Sequence, residues 1–282
     1  MSDLQELSKD KRLRNHFNID KKRRTNHHVQ SSPHFHSYYE IYYMQEGSCR
    51  CFLENTVYNL ERGHFLVIHP GEYHIVTYEQ KGLHDRYTLY FDDQRLDESM
   101  KSYLRHNKED WLLPRHFMIR EEQEPEFLSL LGRMLEFYRM NNDYGEMMLR
   151  YLFPVFLLYL RHNASPVTAA AKEDSLETGL QNAARFISAN YMRPITLKDA
   201  ACEAGFTPTY FSKKFKELAG ISFKDYLTHL RLKESVRLLR STRMSIQEIA
   251  EACGFSGSNY FGDVFHSVYG VSPREYRKKE EV

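Results

Sequence analysis

The sequence predicts an α+β protein of two domains: an N-terminal β-barrel with following helices, and a C-terminal all-α domain of two helix-turn-helix units joined by a long helix. Three observations carry this. Residues 37–91 are aromatic and β-branched runs punctuated by glycines, as in a compact antiparallel sandwich or barrel. Apolar residues then recur with a helical period from Phe127 onward. The last hundred residues repeat themselves at a lag of 49 to 50 positions.

The bulk properties fit this division. A chain of 282 residues that is 41% hydrophobic and 27% charged can bury two ordinary cores. Its longest apolar run, YLFPVFLLYL (151–160), is too short for a bilayer, and the polar N-terminus has no signal-peptide core, so a cytoplasmic protein without membrane contact is expected. Cys49, Cys51, Cys202 and Cys253 form neither a disulfide framework nor a zinc knuckle and read as buried free thiols. Cys49 and Cys51, two apart in a strand-like run, should share one face. Net charge is only +1, which excludes a polyanion-coating protein. From Leu176 onward, however, 16 Lys+Arg face 12 Asp+Glu, so one part of the chain is basic while the rest is slightly acidic. That asymmetry points to nucleic acid meeting the C-terminal part alone.

Residues 1–30 read as an N-terminal arm whose KKRR run (21–24) is a solvated charged face or, less simply, a phosphate-touching arm. The barrel-bearing domain is set at 31–162. Its strand signals are YYEIYYM, CRCFLE, HFLVIH, HIVTYE and RYTLYF, separated by Gly47, Gly63, Gly71 and Gly82. Phe127, Leu130, Leu131, Met134, Leu135 and Tyr138 then mark a helix beginning just after Pro125. A second helix, from Tyr144 to about Arg161, is apolar on nearly every face around Pro154. Such a helix is covered either within its own domain or by a partner subunit. The small, polar stretch 161–179 holds the linker, placed at 163–175.

The repeat occupies 176–282. ITLKDAACEAGFTPTYFSKKFKELAGISFKDY (195–226) matches MSIQEIAEACGFSGSNYFGDVFHSVYGVSPREY (244–276) after one inserted residue. Thr196 with Asp199, and Ser245 with Glu248, have capping-box spacing, so each copy opens on a short helix. These helices turn Leu197, Ala200 and Ala201, or Ile246, Ile249 and Ala250, inward. Gly205 and Gly254 stand where a helix ends in a left-handed residue. A second helix follows, capped in the first copy by Thr207 with Pro208 at its first position, carrying Tyr210, Phe211 and Phe215 inward and ending at Gly220. The result is two helix-turn-helix units, at about 196–219 and 245–269, whose second helices can enter a major groove. Between them, Ser222 and Asp225 open an amphipathic helix of about 20 residues spanning about 30 Å, close to the roughly 34 Å between successive major grooves.

With these residues in view, 176–282 resembles the DNA-binding domain of the AraC/XylS family of transcription regulators. The second copy, ending Gly-Val-Ser-Pro-Arg-Glu-Tyr-Arg, is similar to that family's signature. The resemblance implies seven helices, with recognition helices at about 208–219 and 258–269, and double-stranded DNA as the partner. It places base or phosphate contacts on Thr209, Ser212 and Lys213 in the first and on Ser258, Asn259, Gly262 and Asp263 in the second. Gly262 and Asp263 depart from the basic or long polar residues usual there, and Asp263 repels phosphates. The first helix is therefore expected to carry more of the base readout, and the second to position through its N-terminal groups.

HFHSYYEIYYMQEG (34–47) has the spacing of a first cupin motif, and GHFLVIHPGEYH (63–74) resembles the second, with His69 where proline is common. His34, His36, Glu40 and His74 form a donor set suited to Fe, Mn, Ni or Zn. Tyr38, Tyr39, Tyr42 and Tyr43 instead suggest an aromatic lining for a sugar or another small polar ligand. N-terminal domains of AraC-like regulators are similar to cupins and often keep such histidines without a metal. The expectation is accordingly a non-enzymatic, ligand-responsive regulator without cofactor or catalytic residues, an activator of a catabolic or transport operon. It would work as a homodimer with a small-molecule effector, a sugar first, and contact RNA polymerase. His34, His36, Tyr38, Glu40, Tyr42 and His74 are the effector-binding candidates. A metal-dependent cupin enzyme, or a metal-sensing regulator using His34, His36, Glu40 and His74, is the alternative.

Overall fold

The computed structural model describes residues 13–24, 29–30, 33–78, 82–105, 115–167 and 175–280. Its N-terminal half runs β1 (Phe17–Arg24), β2 (Val29–Gln30), β3 (Tyr39–Glu46), β4 (Cys49–Leu53), β5 (Thr56–Leu60), β6 (His64–Ile68), β7 (His74–Tyr78), β8 (His84–Phe91), α1 (Glu98–Arg105), β9 (His116–Ile119), α2 (Glu124–Met140), α3 (Asp143–Asn163) and β10 (Ala164–Pro166). The strands form a six-stranded sheet in the order β1-β8-β3-β6-β9-β10 and a four-stranded sheet in the order β2-β7-β4-β5, with antiparallel pairing throughout.

Because side chains alternate along a strand, each sheet has two faces to bury, and here all four are covered. Tyr42, Met44, Cys49, Cys51, Leu66, Ile68, Val76 and Tyr78 fill the space between the sheets. Ile41, Tyr43, Phe65, Val67 and Leu89 face the other way, onto α2 and α3, where Phe127, Phe153 and Phe156 meet them. Phe52 and Ile75, outward on the second sheet, pack against the C-terminal half. This alternation corrects one expectation: Tyr39 and Tyr43 belong with the helix-facing core, and only Tyr38 and Tyr42 stay with the barrel interior. Cys49 and Cys51 do share the inward face, whereas Cys202 is exposed rather than buried.

The N-terminal arm also needs correction. Residues 1–12 and 25–28 lie outside the described residues, but Phe17–Arg24 is β1, paired along its whole length with β8 from Phe17↔Phe91 to Arg24↔His84. Phe17 and Ile19 are buried while the intervening polar residues stay accessible, a strand pattern that the KKRR charges obscured. The start of the linker, placed at 163, needs the same correction. Ala164–Pro166 is β10 on β9, α3 runs to Asn163, and residues 168–174 lie outside the described residues.

The C-terminal half is seven helices among the described residues: α4 (Ser175–Asn190), α5 (Leu197–Glu203), α6 (Pro208–Ala219), α7 (Phe223–Ser241), α8 (Ile246–Ala252), α9 (Ser258–Tyr269) and α10 (Pro273–Glu280). The reciprocal capping boxes of Thr196 with Asp199 and Ser245 with Glu248 form as their spacing predicts. Gly205 and Gly254 follow at φ +71° and +81°, which turns the chain between the paired helices. At Gly254 a Cβ would also lie 2.6 Å from the Met192 carbonyl oxygen, so the turn packs directly on the end of α4. α7, 19 residues or about 28 Å long, runs between the two units and buries Tyr226, Leu227, Leu230, Leu238 and Leu239. Arg231 on α7 donates from Nε to the Tyr191 carbonyl at 2.8 Å, which ties α7 to the end of α4.

Candidate functional site

The outer faces of α6 and α9 are built by the same rule. With Phe211 and Phe215, or Phe261 and Phe265, fully buried, the opposite side of each helix turns to solvent. On α6 this brings Thr209, Ser212, Lys213 and Lys216 into one exposed stripe at i, i+3, i+4 and i+7. The matching stripe on α9 is Asn259, Gly262, Asp263 and His266, with Gly262 half-buried. Ser258, also half-buried, opens that helix. Lys216 and His266 are the members that the sequence reading passed over, although they continue the same spacing by one turn. Lys214, the other basic residue of α6, is drawn aside to Glu217 at 2.7 Å.

Two details differ from expectation. Tyr210 and its counterpart Tyr260 are 44% and 42% exposed, because each precedes an inward phenylalanine by one residue and so sits about 100° round the helix. Each instead rests its ring against the phenylalanine of the preceding turn, Phe206 or Phe255. Thr207 is the first cap residue of α6, with Pro208 after it, but its side chain makes no capping hydrogen bond. The amide groups of that first turn therefore remain available to an anion such as a phosphate.

In the barrel, His34, His36, Glu40 and His74 are brought together as their motif spacing suggested. One donor atom from each lies within 4.8 Å of all the others. His34 is held opposite His74 by a reciprocal pair of backbone hydrogen bonds of 3.1 and 3.0 Å. His36 Nδ1 contacts the Tyr38 carbonyl at 2.8 Å and His74 Nδ1 the Glu72 carbonyl at 3.0 Å, which aims both Nε2 atoms at Glu40 Oε2, at 2.9 and 3.3 Å. Burial pushes the Glu40 carboxyl up, but the His36 hydrogen bond and the two imidazoles outweigh it and hold the group well below the usual carboxylate range. Burial correspondingly lowers His74, and Glu40 more than reverses this, raising it. Tyr38 stacks flat on His36, with ring centroids 4.2 Å apart, and Tyr90 meets both rings edge-on. Tyr42 shares the inward face but lies further along β3, where its hydroxyl pairs with that of Tyr78. Its neighbours there are Cys49 and the Arg86 guanidinium.

A cavity of about 730 Å³ opens beside this cluster, between the two halves of the molecule. His36 and Phe35 form one wall, and Tyr191, Lys233, Arg237 and Tyr269 are among the residues opposite. The surrounding seam is well joined. The Tyr73 hydroxyl donates to the Ala219 carbonyl at the end of α6, and the Tyr226 hydroxyl donates to the Glu54 carbonyl. The Glu54 carboxylate lies 3.2 Å from Lys233 Nζ and 3.9 Å from His229 Nε2 on α7, and accepts from the Tyr73 amide at 2.7 Å. The contacts between the halves, Tyr73 with Ala219 and Glu54 with Tyr226, His229 and Lys233, join residues more than 140 positions apart, beyond the reach of local sequence patterns.

A barrel that presents a donor cluster and a seam cavity, joined to a double helix-turn-helix with a solvent-facing stripe on each second helix, defines a transcription regulator with a ligand-binding half. The AraC-like ligand-binding domain model matches residues 19–147, and a helix-turn-helix domain model matches residues 200–279. The chain belongs to the AraC family of transcription regulators. It is 26% identical to the HTH-type transcriptional regulator YisR of Bacillus subtilis over 86% of each chain. It is 36% identical to the HTH-type transcriptional activator RhaR of Pectobacterium atrosepticum, over 45% of this chain and 44% of that one. The lactose operon transcription activator of Staphylococcus xylosus is 28% identical over 53% of each chain. Among the described residues, no helix is long and apolar enough to cross a membrane.

Proposed function

We propose that this regulator is a cytoplasmic homodimer that binds paired half-sites on double-stranded DNA and activates a catabolic or transport operon through RNA polymerase. A small molecule would set how often the two halves are docked, and so how the recognition helices are presented. The observation that carries this reading is the pair of exposed stripes on α6 and α9, in two helix-turn-helix units joined by α7, which also meets the barrel through Tyr226, His229 and Lys233. Thr209, Ser212 and Lys213 supply base and phosphate contacts from α6. Ser258, Asn259, Gly262 and Asp263 supply the second, weaker set. The seam cavity gives the effector a place in contact with both halves, and His36 and Tyr38 lie at or beside its wall. The name of the lactose operon relative favours a sugar as the first effector class to try. No catalytic step is assigned to any residue.

Binding to duplex DNA is expected to fall steeply with salt, and Lys213→Ala to weaken it by roughly tenfold while lowering the salt slope by about one. Fluorescence anisotropy across a salt series measures both; a variant with unchanged affinity and slope would remove α6 from the contact surface.

The dimer rests on α3. Tyr144, Met147, Tyr151, Val155 and Leu158 recur every three to four residues and are 38–69% exposed, opposite a face that buries Leu149, Phe153, Phe156 and Leu160. An apolar stripe of that length facing water is the mark of an interaction surface. Tyr151→Glu with Leu158→Glu is expected to give a folded monomer in light scattering, with weaker binding to paired half-sites. A variant that stayed dimeric would move the interface elsewhere.

A further inference from the structure

We propose that the chain holds DNA at a third place, the loop 191–193 between α4 and α5, where Arg193 contacts a backbone phosphate bordering the groove entered by α9. The proposal extends the regulator reading above and rests on it.

The need for such a contact lies in α9 itself. That helix contains neither lysine nor arginine, and Asp263 on its solvent stripe repels phosphates. The stripe on α6 carries Lys213 and Lys216. Neutralised phosphates supply much of the affinity for a duplex, so the second unit must take its cations from outside its recognition helix or bind weakly.

The fold puts a cation beside it. Gly254, four residues before α9 opens, packs straight onto the loop: a Cβ added to it would lie 2.6 Å from the Met192 carbonyl oxygen and 2.9 Å from that of Tyr191. Arg231 of α7 fastens the same loop with both branches of its fork. It donates from Nε to the Tyr191 carbonyl at 2.8 Å and from Nη2 to the Arg193 carbonyl at 3.0 Å. The Arg193 amide donates to the Asn190 carbonyl at 2.8 Å, and the Arg193 carbonyl also accepts from the Ile195 amide at 2.9 Å. Pro194 restricts the backbone between those residues. The loop thus precedes the first unit in sequence and adjoins the second in space.

It also borders the reading face of α9. Tyr260 follows Asn259 by one residue and stands about 100° round the helix, where a helix lying in a major groove faces the backbone wall. The Tyr260 phenol acts electrostatically on the Arg231 guanidinium that holds the loop. Loop, Arg231 and Tyr260 therefore flank one side of the α9 stripe. Met192 is 51% exposed, and Arg193 beside it is exposed as well. Lys214 and Arg237 are each held by a glutamate, whereas the Arg193 guanidinium forms no ion pair among the described residues. An unpaired guanidinium on a backbone fixed by hydrogen bonds loses little freedom on meeting a phosphate.

The test uses the full chain and duplexes that it selects from a random-sequence pool. Arg193→Ala is expected to weaken binding about 5- to 10-fold, alike on every selected sequence, and to lower the salt slope by about one. Arg193→Lys should restore affinity to within about 2-fold, since a lysine serves a phosphate as a point charge. Arg185→Ala, which removes an exposed arginine of α4, is the control for the general field of the domain. Replacing phosphates singly by uncharged methylphosphonates locates the contact. One replacement should weaken the wild type and leave Arg193→Ala unaffected, at a phosphate other than the one silenced in the same way by Lys213→Ala. An Arg193→Ala chain that binds like the Arg185→Ala control, or that keeps the wild-type methylphosphonate profile, overturns the loop contact; the regulator reading survives that result if Lys213→Ala still weakens binding. A chain that selects no duplex overturns both.

Discussion

Truncating Phe215 to alanine is expected to cost about 3–5 kcal/mol of stability and to abolish duplex binding. The residue is fully buried in α6, on the side opposite Lys213, and its ring lies 5.2 Å from Phe211, 5.4 Å from Tyr226 and 6.4 Å from Phe52. Phe52 is a barrel residue, so one side chain closes the first helix-turn-helix, braces the start of α7 and joins the two halves. The cavity left by the ring cannot be refilled from any one side without moving another. Denaturant unfolding with the full chain reads the loss, and Tyr210→Ala is the control, since that neighbouring ring is half exposed. A midpoint for Phe215→Ala equal to that of the control would mean that the seam does not close around this ring.

The second large effect is expected at Glu54. Its carboxylate is only 17% exposed, and it is the barrel's anionic contact with α7 through Lys233 and His229. Burial alone would raise this carboxyl; the neighbouring His229 and the Lys233 ammonium outweigh it and bring the group down to about 2. A depressed acid contributes stability that is present above its ordinary value of 4.5 and is lost as pH falls from there through about 2. On the order of 3 kcal/mol is at stake across that window. Docking should accordingly hold from neutral pH down to about 5 as far as this group is concerned, and loosen in stronger acid. Glu54→Gln should weaken docking at neutral pH and flatten the acid dependence. Proteolysis between α3 and α4, followed against pH, measures this; equal cleavage rates for the two proteins at pH 7 would show that Glu54 does not fasten the seam.

The local parts of the fold were legible in the sequence. Thr196 with Asp199 and Ser245 with Glu248 are complete start signals within four residues each, and Gly205 and Gly254 are stop signals that require no knowledge of the rest of the chain. The strands around Glu40 and His74 were readable because aromatic and β-branched residues crowd there; the four donors converge across the barrel interior, Glu40 from β3 of one sheet and His74 from β7 of the other, with His34 bridged to His74. What escaped notice depended on long-range geometry. Among the described residues β1 pairs with β8, about seventy residues away, and its lysines and arginines hide the buried Phe17 and Ile19. Composition alone groups Tyr39 and Tyr43 with Tyr38 and Tyr42; the two-residue alternation of a strand separates them. The seam was beyond reach for a plainer reason. An outward Phe52 or Phe35 looks the same in a sequence whether it meets solvent, a partner or the chain's own distant helices.

The unequal stripes on α6 and α9 have a consequence for the DNA. The two reading units follow one another as a translated repeat within a single chain, so neither is the mirror of the other, and at matching positions one carries Lys213 where the other carries Asp263. Under the proposed readout, one recognition helix would itself grip the backbone and the other would tolerate it. A half-site bound this way has a head and a tail: base changes under α6 should be penalised more heavily than those under α9, and reversing the half-site should not be neutral. A regulator reading DNA in this way would encode a direction along the duplex within each single chain, before any second copy is added.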